Sequence, residues 1–413
     1  MPAYTGKFQY LDVGGAPAQV PIQQGPCELS FDSQTCTVTP PAGTPLTFDL
    51  GDVDEFTPAE WELSLTLSTG ARLQLRQFGP AFGRMCEELL AGWRDRTVEC
   101  LLLEDLAELA RYQAIVNGSP AEIRIYGSNL AVLPLAGPAL QWRLAELDSI
   151  SFDAAAYTFQ LASGAARLSI ARLAKKTNEF GDRLRAASDA LRRHSAEVLH
   201  QTFPFLNPAQ VQQLVTLAPE GRSVPLAALA RVHPALPEAL IAHAVDDTQK
   251  PYFESLKTRA AADSLMTGFK FIRPDEAAGE TANSGDARPV PAQSTDGTPQ
   301  PLFFWFFFPL AGRDIAAWEA FTGTGRATYF FRAAPPAGES IACLTRGLAL
   351  VNFRREPVYL PDQSLDRDPR FHRYDIGRRK LPELAELRAA FLGRAIHSSL
   401  ETWEKQVEEA GAR

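Results

Sequence analysis

Apolar and polar residues alternate in short runs through the first part of the chain. On one such run, Leu63, Leu65 and Leu67 alternate with Ser64 and Thr66, which is typical of a strand with one buried face. Short stretches rich in Pro, Gly and Asp separate the runs, as turns do. The pattern predicts seven strands, near 18–23, 27–32, 35–39, 45–50, 53–57, 60–67 and 71–77.

A helical pattern follows the last of these strands. Phe82, Met85, Leu89 and Trp93 are spaced to lie on one helix face. Seven short antiparallel strands and one closing helix predict a small curved sandwich or partly open barrel, with the helix covering its apolar mouth.

The same pattern returns 94 residues later, so that 18–93 and 111–190 are two copies of one unit. Gly43 falls on Gly137, and one inserted residue after Gly164 then moves the offset to 95. Such a repeat decides the fold of the first half of the chain.

This order of strands and helix resembles the pleckstrin-homology-like (PH-like) superfold. The tandem copy is similar to the double modules of FACT histone-chaperone subunits and of bacterial PH-like proteins. The resemblance covers about 18–195 and implies two PH-like β-sandwich or barrel units, whose relatives bind phosphoinositides, peptides or proteins. Members that bind inositol phosphates usually have a basic first loop. The matching loops, 23–26 and 117–120, contain no Lys or Arg, so phosphoinositide binding is not expected.

The second half of the chain predicts a helical segment followed by an α+β domain. The helix of the second copy should extend to about His200, and Asn207 followed by Pro208 is a typical helix start. Residues 302–310 are apolar on both strand faces, which predicts the centre of a covered sheet that also recruits a strand at 268–273.

The predicted fold class is therefore α+β, with two tandem units followed by helical and α+β parts. The predicted domains are 1–100, 101–200, 201–265 and 266–413, with a disordered loop at 274–300. We also expect 1–17 to be a lead-in and two further helices to form. These helices are Val98–Leu109 and Pro382–Glu409.

Composition narrows the classes of partner and compartment. A net charge of −8 disfavours broad electrostatic binding to nucleic acid or anionic membranes. The N-terminus lacks the regions of a signal peptide, and the run 302–310 is too short to span a bilayer. Five cysteines, an odd number in a large chain, fit a reducing compartment. We therefore expect a cytoplasmic protein without membrane insertion, and the Ala-, Arg- and Leu-rich usage indicates a bacterial one.

The densest polar stretch, Arg354–Lys380, combines arginine with aromatic residues, which is the chemistry of phosphate and single-stranded nucleic-acid contact. Aspartates nearly balance it, which leaves a self-paired, solvated loop as the alternative. Trp61, opposite Ala155 in the repeat, is either an interface anchor or an edge residue that shields its own sheet. The candidate partner- or anion-binding residues are Arg354, Arg355, Arg370, Arg373, Arg378, Arg379, Lys380 and Trp61.

Candidate catalytic and metal-binding groups are sparse. Asp366, Asp368, His372 and Asp375 lie close in sequence, but their spacing does not force their side chains to converge on one point. The stretch 323–326 favours a hairpin turn over a phosphate loop, and no catalytic motif is present. We predict no metal, no cofactor and no catalytic residue, and an enzyme only if a C-terminal pocket gathers His372 with Asp366 and Asp368.

Two functional hypotheses follow. The first is a non-enzymatic cytoplasmic binding or scaffold protein, in which the tandem units bind other proteins through sheet edges and open mouths. The second is a nucleic-acid- or nucleoprotein-associated factor that acts through the Arg-rich stretch 354–380.

Overall fold

The computed structural model describes residues 3–11, 21–102, 106–164, 166–271, 302–321, 327–368 and 370–411. The predicted disordered loop at 274–300 and the predicted hairpin turn at 322–325 lie outside the described residues.

Contacts divide the chain into two compact units. One contains Met1–Ala187 and Pro361–Pro382, and the other contains Ser188–Leu360 and Glu383–Arg413. This division differs from the four predicted domains, because both repeats share one unit and part of the Arg-rich stretch joins them.

The first repeat is a seven-stranded antiparallel sheet followed by a helix that packs into its core. Its elements are β1 (Ala3–Leu11), β2 (Pro21–Phe31), β3 (Thr35–Thr39), β4 (Leu46–Asp49), β5 (Val53–Ala59), β6 (Glu62–Leu67), β7 (Arg72–Arg76) and α1 (Phe82–Cys100). The strand order is β4-β3-β2-β1-β7-β6-β5. The alternating leucines of β6 point into the core, where Met85 and Leu89 of α1 are also fully buried.

The second repeat has the same order. Its elements are β8 (Glu108–Val116), β9 (Ser119–Tyr126), β10 (Asn129–Pro134), β11 (Leu140–Arg143), β12 (Ser149–Asp153), β13 (Thr158–Ser163), β14 (Ala166–Ala171) and α2 (Thr177–Thr202). The order β11-β10-β9-β8-β14-β13-β12 matches the first repeat strand for strand. The predicted extension of the second helix to about residue 200 is confirmed.

The first strand of the first repeat was predicted wrongly. The expected strands at 18–23 and 27–32 are one strand, β2, and β1 forms from residues taken as a lead-in. Tyr4 pairs with Leu29, as Tyr112 pairs with Ile123 in the second repeat, so the first strands align at an offset of 108 rather than 94. The longer β1–β2 connection changes the offset, and an alignment held at 94 misses the strand.

The helix predicted at Val98–Leu109 is also wrong. The first helix continues to Cys100, and Leu109 already lies in β8. The backbone of β8 completes the second sheet by pairing with β9 and β14, and that pairing overrides the helical spacing of the leucines.

The other unit contains a six-stranded antiparallel sheet and most of the remaining helices. Its strands are β15 (Val224–Pro225), β16 (Met266–Phe271), β17 (Leu302–Pro309), β18 (Ile315–Ala320), β19 (Ala327–Arg332) and β20 (Phe391–Ile396), in sequential order. Its helices up to residue 360 are α3 (Pro208–Leu217), α4 (Leu236–Ala244), α5 (Lys250–Arg259), α6 (Ala337–Leu350) and α7 (Glu356–Tyr359). The predicted pairing of an upstream strand with the central aromatic strand is confirmed, because β16 pairs with β17.

The C-terminal helix predicted at Pro382–Glu409 is wrong. After α8 (Asp362–Arg367) and α9 (His372–Lys380), the chain forms α10 (Pro382–Ala390), β20 and α11 (Leu400–Gly411). The strand β20 adds to the edge of the sheet beside β19, and its backbone hydrogen bonds outweigh the local helical pattern. Gly393 has a φ of 154°, a conformation that suits the break because glycine carries no Cβ. Among the described residues, no helix combines the length and apolarity needed to cross a membrane.

Candidate functional site

The segment 361–382 packs on the first repeat through α9. Ile376 of this helix is fully buried, and a Cβ built on Gly51 would lie 2.9 Å from its Cδ1 atom. This close approach explains why glycine is needed in the 3₁₀ turn Leu50–Asp52, which joins β4 to β5.

An acidic corner of the first repeat pairs with the end of α9. Arg379 Nη1 lies 2.8 Å from Asp52 Oδ1. Lys380 Nζ donates to Asp54 Oδ1 at 2.9 Å and to the Val53 carbonyl at 2.8 Å. Two of the predicted site residues are therefore held by acids more than 300 positions earlier in the chain.

Asp375 lies at the centre of a second group of ion pairs. Its two carboxylate oxygens contact Arg378 Nη2 at 2.7 Å and Arg379 Nη2 at 3.1 Å, and Arg378 also pairs with Asp362 at 3.3 Å. Burial alone would lower the pKa of Arg379, but the pairs with Asp52 and Asp375 outweigh it and raise that pKa. These cations are structural partners within the fold.

The remaining predicted arginines do not converge on one point. Arg370 pairs with Asp368 at 2.7 Å and stays largely exposed, whereas the guanidinium of Arg373 lies over the Tyr374 ring. Arg354 and Arg355 belong to the other unit, and both have interaction partners.

Arg370 and Arg373 line an open depression of about 680 Å³. Among its lining residues, the buried Arg96 forms a two-point contact with Asp49, at 2.9 and 2.7 Å. Burial would lower the pKa of Arg96, but its hydrogen bonds to Asp49 and Glu99 outweigh burial and raise it. The full lining is Gln34, Thr35, Thr47, Phe48, Asp49, Arg96, Glu99, Asp366, Arg367, Arg370, His372 and Arg373. Four arginines thus face three carboxylates, and an anion would meet a field of mixed sign.

Three of the four residues considered for metal binding come together. Donor atoms of Asp366, His372 and Asp375 lie within 4.8 Å of one another, because α8 and α9 meet at this point. Asp375 is the only buried residue of the three, and both of its carboxylate oxygens already contact arginines. A metal cation at this place would therefore compete with two guanidinium groups for that carboxylate.

Trp61 is 60 % exposed, in the turn between β5 and β6. Its counterpart is Tyr157 rather than Ala155, because the β12–β13 turn is two residues longer than the β5–β6 turn. Tyr157 is 59 % exposed, and both residues have a left-handed φ, 62° and 53°. Each repeat therefore presents an exposed aromatic residue at the same place.

An edge contact between the repeats was not predicted from the sequence. The Phe56 amide on edge strand β5 donates to the Leu135 carbonyl, in the loop after β10, at 2.8 Å. The Leu135 side chain packs against the core of the first repeat. In the sequence, Pro134 and Leu135 indicate only the end of a strand, which says nothing about where the following loop binds.

No protein-family model matches the chain, and the comparison with curated proteins finds no match either. Functional inference therefore depends on the residues described above.

Proposed function

We propose that the chain is a cytoplasmic, non-enzymatic scaffold with two PH-like units, the second of which binds an extended segment of a partner protein along edge strand β12. The shared strand order and the closing helix of each repeat support the PH-like assignment. All five cysteines are free thiols, which fits a reducing compartment.

The observation that carries the proposal is the use of the equivalent edge in the first repeat. The Phe56 amide of strand β5 donates to the backbone carbonyl of Leu135, which belongs to the second repeat. The apolar side chain of Leu135 packs against the core of the first repeat. Pro58 lies two residues further along β5, where the missing N–H costs no ladder hydrogen bond because that side of the strand faces outward. Edge strands with outward amides bind extended peptides by strand addition.

The matching edge of the second repeat has room for such a segment. Within the described residues, β12 pairs only with β13, and none of its five residues is fully buried. Ile150 pairs with Leu161 as Phe56 pairs with Leu65, so the Ile150 amide takes the outward position that Phe56 uses to bind Leu135.

The test compares Ile150→Pro, which removes this amide, with Ile150→Ala, which keeps it. Both variants and the wild type capture partners from nuclease-treated extract for quantification by mass spectrometry. We expect Ile150→Pro to reduce recovery of the specific partner at least about tenfold, since strand addition depends on main-chain hydrogen bonds, and Ile150→Ala to reduce it much less. Undiminished recovery by a natively folded Ile150→Pro variant would contradict the proposal.

The alternative is a nucleic-acid- or nucleoprotein-associated factor. Its supporting observation is that Arg367, Arg370 and Arg373 line one depression, and the carboxylates in the same depression oppose it. A mobility-shift assay with single-stranded RNA at low and high salt tests it. Salt-sensitive binding that is lost when these three arginines become alanine would favour this alternative over the scaffold.

A further inference from the structure

A buried ionic network joins the two repeats. Arg94 of α1 and Arg124 of β9 both pair with Glu122, at 3.0 and 2.7 Å. The side chain of Arg94 is 11 % exposed, and those of Glu122 and Arg124 are 4 % exposed. One buried carboxylate therefore serves two buried guanidinium groups.

The two arginines are compensated unequally. Arg124 also pairs with Asp95 at 2.7 Å, and the hydrogen bond to Glu122 with its other contacts outweighs burial, so that its pKa is raised. For Arg94, burial outweighs the attraction of Glu122 and the pKa is lowered. The Nε atom of Arg94 is buried and, among the described residues, has no hydrogen-bond partner. Arg94 is thus a buried cation, paired with Glu122 through Nη1, whose Nε–H lacks an acceptor.

Arg94 lines a cleft of about 260 Å³. The other lining residues are Asp54, Glu55, Trp93, Thr97, Leu133, Pro134, Gly137, Pro138, Ala139, Arg379 and Lys380. A Cβ on Gly137 would meet nothing within 4 Å, so no other group packs against this position of the lining. The volume is slightly below the usual range of ligand pockets, about 300–1,000 Å³, and fits a small molecule.

The charges in the cleft select the kind of anion. Arg379 and Lys380 are already paired with Asp52 and Asp54, which leaves Arg94 as the under-compensated cation. Asp54 and Glu55 also line the cleft, and their charges disfavour a dianion or a polyanion. The apolar walls at Trp93, Leu133 and the two prolines suit a ligand with an apolar body.

We propose that this cleft binds a small organic monocarboxylate, whose carboxylate pairs with the part of the Arg94 guanidinium that lines the cleft and whose apolar body packs between Trp93 and Pro138. The site is separate from the β12 edge, and its ligand is a metabolite-sized molecule rather than a protein.

Isothermal titration of the full chain with phenylacetate tests the site, with 2-phenylethanol as the neutral analogue and phenyl phosphate as the dianion. We expect phenylacetate to bind with a Kd of about 1 mM or tighter and both analogues to bind at least about tenfold more weakly. Arg94→Gln should weaken phenylacetate binding at least about tenfold.

Because Arg94→Gln also disturbs the buried network, a second variant keeps Arg94 and fills the cleft. Ala139→Trp should abolish binding, whereas Ala136→Trp, on the same loop but outside the lining, should bind normally. Three results would overturn the proposal: no binding of phenylacetate at about 20 mM, well beyond millimolar affinity, unchanged binding by Ala139→Trp, or equal affinity for phenyl phosphate.

Discussion

Strands β2 and β9 occupy the same place in the two repeats and differ in what covers them. In β2, side chains alternate between the core and the surface, and Glu28 is exposed. In β9, six consecutive residues are buried, and the residue matching Glu28 is Glu122, which is 3 % exposed. The cause is α1, whose Arg94 reaches Glu122 from the first repeat.

The difference teaches that the repeat sets the inner face of each sheet, while the neighbouring element decides the outer face. An antiparallel sheet can leave one face in water, as β2 does. Once a helix covers that face, the charged residues on the face must pair with residues of opposite charge, because a lone buried charge is costly. Glu122 and Arg124 meet that need for each other and for Arg94.

The largest effect expected from this comparison is at Glu122. Glu122→Ala leaves two buried guanidinium groups without their shared carboxylate, and we expect the free energy of unfolding to fall by about 3–5 kcal/mol. Glu28→Ala, at the matching exposed position, should change it by no more than about 0.5 kcal/mol. Urea unfolding of both variants measures the contrast, and similar losses would refute the role assigned to α1.

A tyrosine at the same place in each first strand provides the next test. Tyr4 donates to Glu88 at 2.7 Å, and Tyr112 donates to Glu179 at 3.1 Å. We expect Tyr4→Phe and Tyr112→Phe each to cost about 1 kcal/mol, against nearly nothing for Tyr157→Phe at an exposed hydroxyl. A large effect at only one of the two tyrosines would argue against their equivalence.

The contribution of Tyr112 should also depend on pH. Burial, with the hydrogen bond to Glu179, raises the pKa of Tyr112 to about 12, above the value of about 10 in an unfolded chain. The unfolded state therefore loses the proton first, and stability present below about pH 10 is lost as the pH rises towards about 12. Urea titrations should show that the difference in the free energy of unfolding between wild type and Tyr112→Phe shrinks over that pH range.

A smaller effect on stability is expected at Asp32, which caps the β2–β3 turn and has no equivalent in the second repeat. Asp32 Oδ1 accepts the Thr35 and Gln34 amides at 2.7 and 2.8 Å, whereas the β9–β10 turn has Tyr126 at that position. Tyr126 is the last residue of β9 and cannot form such a turn. The hydrogen bonds to Asp32, chiefly the one from Thr35, lower its pKa. We expect Asp32→Ala to cost about 0.5–1 kcal/mol at neutral pH.

Because the folded pKa of Asp32 is the lower one, its contribution is present above about pH 4 and is lost as the pH falls further. Urea midpoints of wild type and Asp32→Ala should therefore converge in acid. A constant difference down to about pH 2 would show that the carboxylate charge is not involved.

The smallest effect is expected for asparagine substitutions at the two exposed turn aromatics. Trp61→Asn and Tyr157→Asn should each change stability by no more than about 0.5 kcal/mol, because asparagine tolerates a left-handed backbone. Trp61→Val should lower the free energy of unfolding by about 1–2 kcal/mol more, since a β-branched residue does not tolerate a left-handed backbone. Thermal unfolding measures all three, and loss of partner capture by a stable Trp61→Asn variant would identify Trp61 as an interface anchor.

Much of the fold followed from local pattern. Leucine alternation on β6 and the offset of 94 between Gly43 and Gly137 predicted the two repeats, and aromatic residues on both faces predicted the central strand β17. Strand β1 was not predicted, because the longer β1–β2 connection changes the alignment offset of the first strands to 108. Strand β20 was not predicted, because hydrogen bonds to β19, about 60 residues earlier in the chain, override its helical pattern.

Less of the candidate site could be predicted. The sequence singled out Arg378, Arg379 and Lys380 as an unusual basic cluster, and it left open whether they pair with acids or bind a partner. It gave no sign that Asp52 and Asp54 would hold two of them, because residues so far apart in the chain are brought together only by packing of α9 on the first repeat.

The sequence by itself determined that a strand-rich unit is repeated, which apolar residues of its predicted strands face inward, and that a helix follows each copy, since side-chain alternation along a strand or helix is a local property. Tertiary structure alone decided that β9 is covered while β2 is exposed, that the basic helix α9 is neutralised, and that Arg94 is buried beside an open cleft. The physical reason is that burial and charge compensation depend on which distant surfaces meet, and a linear pattern does not contain that information.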